Sequence, residues 1–215
     1  DPTSNDVLEV MAACMRHHES ALLCLQLDGL VVPVTLFPLE QVYHAPRDLL
    51  VNQGIGLSRV SVLTAEPPGL RPPGDKQHDR IGRLEYYRPL LPLLWALAMY
   101  GARSSLLAEI SGDAAYRATR RLAEDGITAT GALSSAAEAL TRETVSLRTI
   151  AGWPGMSLER ARRMLNGLYL VSALRLYAEH TAKEAGWRVE VLNELHDEPD
   201  ADMAALLYRI AQEAI

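Results

Sequence analysis

Residues 146–170 read Ser146-Leu147-Arg148-Thr149-Ile150-Ala151-Gly152-Trp153-Pro154-Gly155-Met156-Ser157-Leu158-Glu159-Arg160-Ala161-Arg162-Arg163-Met164-Leu165-Asn166-Gly167-Leu168-Tyr169-Leu170. Ser146 is a natural cap for a short first helix, and Trp153-Pro154-Gly155 breaks it. Ser157 can cap a longer second helix. An alanine in the first helix, a glycine four residues later and an amphipathic second helix make the pattern of a helix-turn-helix. At about 100° per residue, Leu158, Ala161, Met164, Leu165, Leu168 and Tyr169 fall on one arc. Glu159, Arg160, Arg162, Arg163, Asn166 and Gly167 fall on the opposite one. A winged-helix-like segment is therefore expected over residues 146–177.

The polar arc offers the candidate contact residues Arg160, Arg162, Arg163 and Asn166. On a recognition helix they would reach phosphates and base edges. On an interaction module they would meet a partner protein, and on a solvated face nothing at all. Charge weighs against DNA. Residues 141–180 hold six arginines against Glu143, Glu159 and Glu179, whereas residues 181–215 carry a balance of -5. So acidic a tail repels phosphate unless it points away.

Upstream, residues 6–20 have the stripe of an amphipathic helix that Asp6 can cap. Residues 21–27 then run into Asp28-Gly29, a hairpin dipeptide. The valine-rich residues 30–37 return as a strand, and Pro33 favours an edge position there. Short strands are expected near residues 41–44 and 59–63. Residues 67–79 hold four prolines and two glycines and read as a linker or long surface loop. Beyond it, the apolar residues 88–100 predict a central buried helix. Shorter helices are expected over 104–110, 114–123 and 134–142, and an amphipathic last helix over 200–215. The fold expected is α+β: a helix on a small antiparallel sheet over 1–66, the loop 67–79, and a mainly helical part over 80–215.

The whole chain has 215 residues, a net charge of -6 and 48% hydrophobic residues, which suits an ordinary globular protein. No apolar run approaches the roughly 20 residues of a membrane helix, so membrane insertion is not expected. Residues 1–6 lack the pattern of a signal peptide. Cys14 and Cys24 lie among apolar neighbours and read as free thiols, which suits a reducing cytoplasm. Lysine occurs only at 76 and 183.

Catalytic signatures such as GxSxG, HExxH, GxxxxGK[ST] and GxGxxG are absent. Gly54-Ile55-Gly56 is too short to cradle a phosphate. Cys14 and His18, one helical turn apart, are the best metal candidates, but two ligands do not make a site. His44 has no acid or nucleophile paired with it in sequence. The chain thus reads as non-enzymatic, with no cofactor and no metal.

Two segments resemble a known family. Leu8-Glu9-Val10-Met11, then Ser20-Ala21-Leu22-Leu23-Cys24-Leu25, then Leu36-Phe37 and Val42-Tyr43-His44-Ala45 resemble the opening of the bacterial PATAN regulatory domain. There a helix precedes a strand hairpin, and a short strand ends in a small residue. Residues 146–170 resemble the winged-helix-like segment that closes many of those proteins. The resemblance covers half the chain. Where the family has a glycine before the first strand, this chain has Ser20-Ala21, and it lacks one near Pro38-Leu39-Glu40. The resemblance implies a non-enzymatic adaptor in bacterial signalling or surface motility, whose partner is another bacterial protein. A DNA-binding transcription regulator using residues 156–170 is the alternative.

Overall fold

In the computed structural model of the protein, residues 5–50, 56–171 and 174–178 are described. The Asp6 carboxylate accepts from the Leu8 amide at 2.9 Å and starts α1 (Val7–His17), which buries Val7, Leu8, Met11 and Ala12. Strands β1 (Ala21–Leu27) and β2 (Leu30–Phe37) form the expected hairpin. Asp28 and Gly29 both take positive φ, 49° and 80°, as a tight two-residue turn with matching twist requires. β3 (Val42–His44) and β4 (Ser61–Glu66) follow.

Pro33 does not lie on an outermost strand, since the sheet runs β4-β1-β2-β3 and then β5 (Tyr87–Pro89). β3 is so short, however, that it pairs only with Thr35, Leu36 and Phe37. Pro33 therefore has no strand on that side, and its missing N–H leaves no gap in a ladder.

The proline-rich stretch connects two strands of this one sheet. β4 lies at one edge and β5 at the other, about four strand spacings or ~19 Å apart. The connection is long because it must cross that distance. Arg71 pairs with Ile81 in a local bridge, and the Arg71 amide donates to the Arg80 carbonyl at 3.0 Å.

α2 (Leu90–Tyr100) is the expected central helix, with nine of its side chains buried. The shorter elements differ from expectation. Residues 104–110 contain only a single 3-10 turn, Ala108–Ile110. Residues 114–118 form a strand, β6 (Ala114–Ala118), followed by a 3-10 turn at Leu122–Asp125. The alanines there favour a helix by propensity, but the strand buries Ala115, Tyr116 and Ala118, and the Tyr116 hydroxyl donates to the Ile110 carbonyl at 2.8 Å. Tertiary packing overrides the local preference.

α3 (Ala132–Leu140), β7 (Val145–Ser146), α4 (Leu147–Ala151), α5 (Leu158–Leu170) and β8 (Leu174–Ala178) complete the described chain. β7, β6 and β8 form a second antiparallel sheet, in that order, so its central strand precedes the helix-turn-helix in sequence. The architecture is α+β, and one continuous set of buried side chains runs from Val7 to Val171. The helix expected over 200–215 lies outside the described residues.

Candidate functional site

The two helix caps of the helix-turn-helix form as the sequence implies. The Ser146 hydroxyl accepts from the Thr149 amide at 3.3 Å, and that of Ser157 from the Arg160 amide at 3.2 Å. Gly155 takes φ 72° in the turn. Trp153 is half-buried and packs against the core, while Leu158 of the apolar arc is exposed.

The polar arc of α5 is not a free face. Ala161, Met164, Leu165 and Leu168 are buried on the expected side, but Asn166 and Gly167 are buried as well. α2 lies against them. A Cβ at Gly167 would come within 2.6 Å of Trp95 Cε3, so glycine allows the two helices their close approach. An all-apolar helix needs cover on every side, and the second arc of α5 supplies part of it.

Arg163 and Asn166 are consequently turned inward. The Arg163 guanidinium donates to the carbonyls of Ala98 (3.4 Å), Met99 (3.3 Å) and Gly101 (2.8 Å), and to Glu159 at 3.0 Å. Those carbonyls close the end of α2, which has no later turn to bond, and a cation there also meets the negative end of the helix dipole. Asn166 is fully buried. Its Oδ1 accepts from the Leu107 amide at 2.9 Å, and its Nδ2 donates to the Ser105 carbonyl at 2.9 Å. These two candidate contact residues are thus not placed to touch a ligand. Of the four, Arg160 is exposed and bonded to the Gly155 carbonyl, and Arg162 is half-buried like Arg163. The asparagine's burial had no sequence signal, because its partners lie about sixty residues upstream.

A second surface, unmarked in the sequence, is the outer side of the first sheet. Cys24 stands opposite Pro33 on one side and Thr64 on the other, with Leu22 and Val31 alongside. Val31 is 59% exposed, and Leu63, at the irregularity between β1 and β4, is 48% exposed. On this side Val31 is exposed and Leu22 and Cys24 are half-buried, with Gln26 across from Val31 and Glu66 across from Leu22, so the face mixes apolar and polar side chains.

The metal candidates do not come together. α1 ends at His17, and His18 takes a left-handed conformation, φ 53°, so it no longer lies one turn above Cys14. Burial pushes the Cys14 thiol above its usual value. Among the described residues no group of three or more His, Cys, Asp or Glu could hold a metal ion. His44 packs edge-on against Tyr86 and Tyr87, with ring centroids 5.8 and 4.8 Å away. Tyr43, its neighbour on the other face, is fully buried, and burial, with the Asp48 charge second, pushes its hydroxyl up to about 12. A cleft of about 230 Å³ is lined by Arg121, Leu122, Thr128, Ser134 and Glu138 among others. Its arginine and glutamate pair with each other at 3.3 Å. Among the described residues no helix is long and apolar enough to cross a membrane. Compared with protein-family models, with curated proteins and with solved structures, the chain has no match.

Proposed function

We propose that the protein is a non-enzymatic bacterial signalling adaptor that acts through protein contacts, in a process such as surface motility. The observation that carries this reading is the use of the helix-turn-helix as internal support. Arg163 and Asn166, two of the four residues that would read DNA, hold α2 and the segment after it. A module employed in this way offers a partner its outer surfaces rather than a recognition helix. The outer side of the first sheet supplies such a surface, with Val31 exposed beside polar neighbours. The order α1, β1, β2, β3, ending at the small residue Ala45, supports the PATAN-type resemblance. The two free thiols support a reducing compartment, which we read as the cytoplasm.

Affinity capture from a bacterial lysate tests the reading, with the wild type and Val31→Asp as baits of equal folded content. Val31 is exposed, so an aspartate there leaves the core intact. The wild type should retain a defined protein that the variant loses. Capture that is identical for both baits, or turnover of a small-molecule substrate, overturns the reading.

A further inference from the structure

The geometry points to a proton-released latch, in which His44 and Tyr87 hold residues 67–83 against the β3–β5 edge of the first sheet and protonation of His44 frees them. The latch has three joined parts. The Tyr87 hydroxyl donates to the Arg71 carbonyl, and its oxygen accepts from the Gly82 amide at 3.0 Å, so one phenol ties both ends of the long connection. The Arg71 amide donates to the Arg80 carbonyl and closes the base of the loop. Gly82 sits directly on the His44 imidazole: a Cβ at that position would lie 2.6 Å from Nε2.

Nε2 is buried in this contact and has no hydrogen-bond partner. A neutral imidazole tolerates that position as an unprotonated nitrogen under a glycine. A proton on Nε2 creates a donor and a charge with nothing to receive them, so the closed loop disfavours the cation.

The Arg88 cation near the ring acts in the same direction. From β5 comes Arg88, fixed by the Ala45 and Tyr86 carbonyls at 2.9 and 3.1 Å. The neighbouring rings are Tyr87 on β5 and Tyr86 just before it. The connection presents Gly82 and, 6.0 Å over the Tyr86 ring, the Arg83 guanidinium, which lies 3.9 Å from Glu85; β2 presents Thr35 across the ladder. Asp48 lies 3.7 Å from the Arg88 guanidinium, where it offsets that cation. Burial, and after it the Arg88 charge, hold His44 below its usual value. An opened loop returns the imidazole to water, where it binds a proton near pH 6.5. Closure is therefore fully favoured above that pH and weakens as pH falls through it. Release bares the His44, Tyr86 and Tyr87 rings at the sheet edge and frees Arg71, Lys76 and Arg80 to move.

Amide hydrogen exchange on the full chain tests the latch, with rates corrected for the intrinsic pH dependence. The reporters are the Gly82 and Arg71 amides, and the reference is the Gly101 amide bonded to the Leu97 carbonyl of α2. In the wild type, protection at Gly82 and Arg71 should fall severalfold between pH 7.5 and 5, while Gly101 stays constant. His44→Phe should keep the protection at both pH values, and His44→Gln serves the same purpose should the phenylalanine disturb the fold. Protection that is unchanged with pH in the wild type overturns the latch. So does a loss shared equally by Gly101, or a fall that persists in both His44 variants.

Discussion

Arg163 and Arg162 are adjacent, carry the same charge and have different environments. Arg163 is 17% exposed and bonds three carbonyls at the end of α2. Hydrogen bonds from a charged donor contribute about 1.5–3 kcal/mol, and their loss also leaves buried carbonyls unmet. Arg163→Ala should therefore lower stability by about 2–3 kcal/mol, whereas Arg162→Ala should stay within about 0.5 kcal/mol. Urea unfolding of the two variants measures the difference, and equal midpoints would show that the α2 contacts contribute little. The sequence placed both residues on the right arc of α5, because periodicity reports an angle. It carried no sign of what faces that angle, since Ser105, Leu107 and the α2 carbonyls are distant in the chain.

At the scale of elements, the α2–α5 packing depends on the absence of a side chain at Gly167. Alanine is the better helix former by about 1 kcal/mol, so an unpacked helix would gain from Gly167→Ala. Here the new methyl meets the Trp95 ring at 2.6 Å, and the helices must separate or the ring must turn. The substitution should destabilise by about 1–3 kcal/mol, with a lower melting midpoint as the readout. A raised midpoint would mean that the two helices can part freely. Elements defined by local chemistry were legible in the sequence. The Asp28-Gly29 turn, the Ser146 and Ser157 caps and the apolar α2 each announce themselves within a few residues. β6 did not, because Ala114 and its neighbours become a strand only through β7 and β8, which lie about thirty and sixty residues onward. The edge position expected of Pro33 was a misreading: β2 is central, and the proline is tolerated because β3 is too short to pair beside it.

At the scale of the molecule, the long connection from β4 to β5 and the helix-turn-helix have a common feature. Each reads as a free-standing unit in the sequence, and each is tied to the body by contacts remote in the chain. The connection is closed by Tyr87, and α5 is held by Arg163 to the end of α2 and by Asn166 to the segment after it. The α+β class was accessible from patterning, but the surface left for a partner was not, because exposure is decided only when the elements assemble. Titration of a fluorescently labelled DNA duplex at about 50 mM salt tests the central claim most directly, since phosphate contacts are strongest when counterions are few. With α5 covered by α2, the folded protein should leave the anisotropy unchanged up to micromolar concentrations. Saturable binding that falls steeply with salt and is lost in Arg160→Ala/Arg162→Ala would contradict the account.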